Sequence, residues 1–179
     1  MSNRSLKWAC MLTTVAIALI VLLISWRILY PKWLTWMHGA EMRFATQRYL
    51  ALHSTIEGWT DPSVMAQVAT GEYLEYLIRS RCVDCLGVEV STGIQIETVD
   101  VLEYGSSVSK VHVRYEGAWQ MIDPQTRDVI GQCNVGVYEN VLIMNRENND
   151  WKVSGGEDFH SKVISNDEFT RLQTKYCAK

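Results

Sequence analysis

The chain has only three prolines, and it contains no Pro-rich linker, internal repeat or low-complexity segment. It also lacks any run of Lys and Arg, and its formal net charge is −3, so we expect no nucleic-acid partner, which would require a basic face. No P-loop, GxGxxG or Ser-His-Asp motif is present, which excludes the enzyme classes that those motifs define. What remains is a chain of 179 residues, enough for a membrane anchor and one domain of about 145 residues.

The longest uncharged stretch is the 19-residue run from Trp8 to Trp26. At 1.5 Å of rise per residue, a helix of that length spans roughly 28 Å, close to the thickness of the hydrocarbon core of a bilayer. The sequence therefore predicts a transmembrane helix at residues 8–30, after a short N-terminal tail at 1–7, with the lipid bilayer as a partner. Aromatic residues that favour the headgroup region lie at both ends of it: Trp8, Trp26, Tyr30, Trp33 and Trp36.

A cleaved signal peptide is the alternative interpretation of this stretch. It needs a shorter apolar core followed by small residues at a cleavage site. Here the bulky run from Trp26 to Tyr30 follows the core, which favours a retained anchor. The flanking positive charges do not decide the orientation, because Arg4 and Lys7 on one side oppose Arg27 and Lys32 on the other.

The cysteines indicate the compartment better than the charges do. Four of the five, Cys82, Cys85, Cys133 and Cys177, fall in the soluble part, and an even count suits an oxidising space. We therefore expect the domain to be extracytoplasmic. The CxxC pair is open to interpretation as a redox dithiol, part of a four-cysteine zinc site, free thiols, or one or two structural disulfides. Disulfides are favoured, because the pair follows a predicted helix and the other two cysteines are isolated.

The segment after the anchor has the periodicity of helices. Residues 31–58 are predicted as a juxtamembrane segment and a first long helix that ends at Gly58. Two shorter helices follow, each with a residue typical of an N-cap: 63–68 after Asp61 and Pro62, and 71–81 after Thr70.

After Gly87 the hydrophobic period changes to 2, which predicts antiparallel strands. The longest strand has apolar side chains at odd positions from Val111 to Met121, and its even positions, including His112 and Glu116, are assigned to solvent. Further strands are predicted at Ile94–Glu97, at 133–143 with the odd residues on one face, and at Trp151–Val153, before a final short helix at 166–176. Helices followed by a strand meander predict an α+β fold, with the rest of the domain at 59–160 and a C-terminal tail at 161–179.

The run WTDPSVMAQVATGEYLEYL, leading into a meander that ends VYENVLIMNRENNDWKVSGGEDF, resembles the nuclear transport factor 2-like superfamily over roughly residues 40–158. Its Asp-Pro-Ser start followed by Thr-Gly-Glu is similar to the intermembrane-space domain of plastid-division proteins and their bacterial relatives. Membrane-anchored domains of this fold also occur in a single-pass component of type IV secretion machines. The resemblance implies a cone, in which helices pack on a curved antiparallel sheet.

Enzymes of this fold place an inward Asp, Glu or His in the pocket of the cone, within hydrogen-bond reach of the proton it moves. Of the four histidines only His53 is placed to face such a pocket, and a core or solvated histidine is commoner at such a position. Tyr115, Trp119 and Tyr138 could line the same pocket, although aromatic residues on a sheet more often belong to the core. We assign no catalytic, cofactor-binding or metal-binding residue.

The sequence therefore favours a single-pass, non-catalytic interaction or scaffold module that binds one or more membrane-associated proteins. The alternative is a small-molecule-binding or catalytic domain of the same cone fold. That alternative requires an open cavity with an inward acid or histidine.

Overall fold

The computed structural model describes residues 3–80 and 87–177. Its strands form one antiparallel sheet in the order β1-β2-β3-β4, so each strand pairs with its neighbour in sequence. This meander, with helices packed on it, confirms the predicted α+β fold. The elements are α1 (Asn3–His53), α2 (Ile56–Thr60), α3 (Pro62–Met65), α4 (Gly71–Arg79), β1 (Val88–Tyr104), β2 (Val108–Ile122), β3 (Val129–Glu147), β4 (Asp150–Lys162) and α5 (Asn166–Tyr176).

Helix α1 is continuous through Pro31 and changes character along its length. Its residues 14–29 are largely apolar and mostly exposed, as at Leu22, which is 65% exposed. From Leu34, which is 3% exposed, one side of the helix is buried in the core of the domain. Within the described residues, α1 is the one helix long and apolar enough to cross a membrane.

The end of α1 corrects the prediction that Gly58 terminates the first long helix. The helix ends at His53, and Gly58 lies inside α2, where its N–H donates to the hydroxyl of the N-cap residue Thr55 over 2.9 Å. A Cβ at Gly58 would lie 1.9 Å from the carbonyl oxygen of Leu52. Glycine is therefore required here by a close backbone approach, which the sequence pattern does not distinguish from a helix stop.

The C-terminal half of α1 covers the free edge of β1 and runs antiparallel to it. Thr35 accepts a hydrogen bond from the N–H of Val101 at 2.8 Å, and Arg43 donates to the carbonyl of Ile96 at 2.7 Å. At the other edge of the sheet, the N–H of Val153 in β4 donates to the carbonyl of Val68 at 2.8 Å. These contacts pair some of the backbone groups on each edge strand, which limits the edge available for association.

The sequence places the odd residues of β3 on one face, and in the structure that face is the outer one. The odd residues from Cys133 to Ile143 face away from the main core, whereas Leu142 and Met144 are buried in it. The register explains the difference, because Leu142 pairs with the inward residue Val111 of β2. Residues directly opposite each other in a sheet share a face.

The outer face of the sheet carries α5, so the helices lie on both faces and only α1 to α4 share the inner one. Leu172 of α5 is fully buried, as are Val137 and Ala118 on the outer face beneath it. A disulfide joins Cys177, after the last turn of α5, to Cys133 of β3, with 6.0 Å between their Cα atoms. Helix α5 therefore packs on the domain.

Thr70 and Glu116 also differ from their predicted roles. Thr70 occupies the N-cap position of α4 but makes no capping hydrogen bond, and its hydroxyl donates to the Glu147 carboxylate instead. Glu116, assigned to the solvent face, is buried because α5 covers it. Asp61 does cap α3, where its carboxylate accepts from the N–H of Ser63 at 2.8 Å.

Candidate functional site

A cavity of about 750 Å³ opens on the inner face of the sheet, beside the C-terminal end of α1. The residues that the sequence suggested for a pocket, His53, Tyr115, Trp119 and Tyr138, all lie on its wall. The volume is in the range of small-molecule binding sites. The inner face of the cone is thus open, not filled by side chains.

The wall of the cavity is built from packed aromatic rings. Tyr138 is central to it: its ring stacks on Tyr115 at 5.6 Å between centroids and on Phe159 at 5.7 Å. The Trp119 ring meets Tyr138 edge-on at 4.7 Å. These contacts hold the rings in fixed positions, as is typical of offset and edge-to-face aromatic pairs.

Five further aromatic residues on the wall were missed from the sequence. They are Tyr49, Trp59, Tyr73, Tyr76 and Phe159. Tyr49 lies one helical turn before His53, so its place on the same face of α1 could have been read from the four-residue spacing. The place of Phe159 on the wall could not be read from the sequence, since the predicted fourth strand ends at Val153.

The tyrosine hydroxyls are neutral groups in this environment. Those of Tyr49 and Tyr73 are 2.6 Å apart and hydrogen-bonded to each other. Burial raises the pKa of Tyr49 well above its usual value, with the neighbouring Tyr73 adding to the rise, and burial also raises the pKa of Tyr115. These phenols therefore offer hydrogen bonds and ring faces near neutral pH, not charge.

His53 is also uncharged near neutral pH. Its ring lies between Tyr49, at 5.3 Å, and Trp59, at 5.5 Å between centroids. Because burial disfavours the imidazolium, the pKa of His53 falls to about 4. The histidine that the sequence identified as the candidate base thus lies on the wall as a neutral ring.

Two carboxylates stand at the exposed rim of the cavity. Glu72 belongs to the first turn of α4 and Glu89 to the start of β1. The indole N–H of Trp59 donates to the backbone carbonyl of Glu89 at 2.8 Å, which fixes this end of β1 beside α2. The described lining residues include neither lysine nor arginine. The charged side chains of the described wall are therefore negative.

The cysteines lie apart from this cavity. Cys133 and Cys177 are joined on the outer face, so they do not serve as thiolate ligands for zinc. Cys82 and Cys85, and any interpretation of their CxxC pair, lie outside the described residues. Within 3–80 and 87–177, no group of three His, Cys, Asp or Glu side chains could hold a metal ion.

The aromatic residues predicted for the membrane interface cluster where α1 meets the domain. The Tyr30 ring stacks on Trp26 at 5.1 Å and on Trp33 at 6.0 Å. Trp36 is exposed one turn further along. The side chain of Trp8 lies outside the described part of the structure.

A curved antiparallel meander around α1 and α4, with an open aromatic cavity, defines the nuclear transport factor 2-like cone fold. In this fold the chain is similar to the solved intermembrane-space region of the chloroplast protein ARC6, with 12% identity, a TM-score of 0.51, and coverage of 68% of this chain and 95% of that one. A putative Ca/calmodulin-dependent kinase II association domain from Exiguobacterium sibiricum 255-15 aligns with 14% identity and a TM-score of 0.47, over 71% and 95% of the two chains. The sequence matches no protein-family model and no curated protein. At 12% identity, the similarity to the chloroplast region concerns the fold alone.

Proposed function

We propose that the chain is a membrane-tethered, non-catalytic binding module that serves a membrane-associated protein assembly. The observation that carries the proposal is the continuity of α1, which is an exposed apolar rod at one end and a core helix of the domain at the other. The long exposed apolar surface of this helix is unfavourable in water and favourable in lipid. Because no flexible linker separates the two halves, the helix holds the domain at a set height above the bilayer.

The anchor is tested by alkaline carbonate extraction of membranes that contain the full chain. We expect the protein to stay in the pellet and the variant Ile20→Lys/Leu23→Lys to be released, since each charge near the bilayer centre costs about 3 kcal/mol. The matched control, Leu102→Lys/Val108→Lys, makes the same changes at exposed apolar positions of the domain and should stay in the pellet. Release of the unaltered chain would contradict the proposal.

The cavity face is the binding surface that we propose for a partner protein. It presents exposed aromatic side chains, which are enriched at protein interfaces and among their hot spots. The buried histidine and tyrosines of its wall are neutral, which suits recognition more than proton transfer. The Cys133–Cys177 disulfide supports an extracytoplasmic location.

Partner binding is tested by cross-linking in intact membranes followed by purification in mild detergent. We expect Phe159→Ala, at the cavity, to reduce the recovery of a specific cross-linked partner, because Phe159 is 58% exposed on the binding face. Phe169→Ala is the matched control, since Phe169 is 41% exposed on α5 on the opposite face. Recovery of the full chain as a monomer without a partner would count against the proposal, as would equal loss in both variants.

Small-molecule binding is the second candidate function, and the open cavity of about 750 Å³ favours it. The two candidates share one surface, so a ligand in the cavity and a partner at its rim are compatible. Saturation-transfer NMR with a mixture of small polar and apolar compounds tests this candidate. A cavity that takes up none of them would leave partner binding as its role.

A further inference from the structure

The cavity combines π-faces with negative charge. Eight tyrosine, tryptophan and phenylalanine side chains line it, and the charged groups of its described wall are the carboxylates of Glu72 and Glu89. Aromatic faces attract cations through the ring quadrupole, and tryptophan and tyrosine do so most strongly. An anion would meet two like charges without a compensating lysine or arginine. A cation is attracted both by the aromatic rings and by the two carboxylates.

We propose that the cavity binds an organic cation, held through an alkylammonium group between the aromatic wall and the rim carboxylates. The proposal rests on the proposed binding function of the cavity and names the chemistry of its occupant. The phenols and the histidine of the wall are neutral, so they do not repel the ammonium group.

The two ends of the cavity differ: its rim suits a charged group, and its floor suits an apolar one. Its rim holds the exposed Glu72 and Glu89, whereas Leu50, Val113 and Leu142 of its floor are buried. A volume of about 750 Å³ exceeds that of a bare ammonium group. The ligand therefore carries its cation on a larger body, with the body toward the floor and the charge toward the rim.

The occupant comes from the aqueous side, not from the bilayer that anchors the chain. From Trp26 to Tyr49 the helix rises about 35 Å at 1.5 Å per residue. The cavity is thereby held beyond the headgroup region. An ammonium group reaches it either as a free amine or as a lysine side chain of a partner, and the two sources share one chemistry.

The test is calorimetric titration of the full chain in neutral detergent with two cations, choline and Nα-acetyl-lysine amide. The neutral isostere of choline, 3,3-dimethylbutan-1-ol, has the same shape without the charge. We expect at least one of the two cations to bind and, if choline is the one that binds, its affinity to exceed that of its isostere at least about tenfold. Choline binding identifies a free organic cation as the source, and binding of the lysine compound alone identifies a partner side chain.

Variants locate the binding within the cavity. Glu72→Gln/Glu89→Gln should weaken binding of the cation at least about fivefold, and Trp119→Leu should do the same by removing a ring. Glu75→Gln/Glu103→Gln is the matched control: it removes the same charge from α4 and β1 at exposed positions outside the cavity and should change nothing.

The inference would be overturned if neither cation binds, or if choline binds and its neutral isostere binds equally well. Unchanged affinity in Glu72→Gln/Glu89→Gln would overturn it as well. None of these results affects carbonate extraction or cross-linking, so failure of the cation proposal is distinguishable from failure of the membrane-tethered module.

Discussion

Glu116 is held in a cluster of charges beneath α5. Its side chain is 4% exposed, and its carboxylate accepts hydrogen bonds from Arg171 at 2.7 Å, Lys175 at 2.5 Å and the hydroxyl of Tyr176 at 3.0 Å. Burial alone would raise the pKa of Glu116, but these three donors together lower it to about 2. A buried carboxylate is stable only with such partners.

The substitution Glu116→Gln should destabilise the domain by about 2–3 kcal/mol at pH 7. The folded-state pKa of about 2 lies below the ordinary value of 4.5. The stabilisation from the Glu116 charge is therefore complete above pH 4.5 and is lost as the pH falls from there toward 2. Urea unfolding at several pH values should show this slope in the unaltered chain and a shallower one in the variant.

Glu157→Gln is the control for this prediction. Glu157 also forms an ion pair, with Lys110 at 3.3 Å, but its side chain is 50% exposed. Exposed pairs contribute about 0–1 kcal/mol, so this change should be small. Equal effects of the two substitutions would show that α5 does not bury Glu116.

Gly58 should not tolerate a side chain. The methyl group of Gly58→Ala would lie 1.9 Å from the Leu52 carbonyl oxygen, so the backbone between α1 and α2 must move, at a cost of about 1–3 kcal/mol. Gly155→Ala is the comparison, because its Cβ would meet Ile143 at an ordinary 3.6 Å. Thermal unfolding of the two variants measures the difference. A similar melting temperature for both would contradict the close approach at Gly58.

At the scale of elements, α5 depends on one covalent and several non-covalent contacts. The Cys133–Cys177 bond closes a loop with a sequence separation of 44 residues. Reduction should lower the free energy of unfolding by about 2–4 kcal/mol. The double variant Cys133→Ser/Cys177→Ser should show the same loss without reductant, and reductant should then have little further effect. If reduction leaves the unaltered chain equally stable, the bond does not hold α5.

The sequence pattern predicts the type of each element better than its length. The inward residues of β1 change from even to odd positions after Ile96, because bulges at Ile96/Thr98 and at two other sites interrupt the alternation. Beyond Val153, β4 continues through Gly155 and Gly156, which have no side chain to show a period. Such irregularities have no local signature, so only the regular middle of each strand was predictable.

Only part of the cavity wall was predictable, because the hydrophobic period shows which residues share a face but not which distant segments meet. Tyr115 and Trp119 are on the apolar phase of β2, which the two-residue period reveals directly. That Glu72 of α4 and Glu89 of β1 line one cavity depends on long-range packing, which no local pattern shows. Contacts between distant segments, such as those of α5 with Glu116, are likewise absent from any local pattern.

At the scale of the whole molecule, α1 fixes the relation between bilayer and cavity in the proposed membrane-tethered arrangement. β1 runs antiparallel to α1, so its Tyr104 end lies near the membrane-proximal residue His38, with 3.5 Å between the two ring centroids. Its other end, near Glu89, lies beside the C-terminal end of α1. The mouth of the cavity therefore faces away from the bilayer in the proposed arrangement, accessible to solutes and partners of one compartment only.

Orientation across the membrane decides which compartment that is, and thiol labelling measures it. We expect Cys133 and Cys177 to be protected from a membrane-impermeant maleimide on spheroplasts and to react after reduction, because an extracytoplasmic disulfide is both accessible and oxidised.

The experiment uses a Cys82→Ser/Cys85→Ser background, so that the CxxC pair adds no signal. Cys10 lies in the uncharged run, where lipid shields it from the reagent. Adding Cys133→Ser/Cys177→Ser should abolish labelling. Labelling only after the spheroplasts are lysed would place the domain, and with it the aromatic cavity, in the cytoplasm.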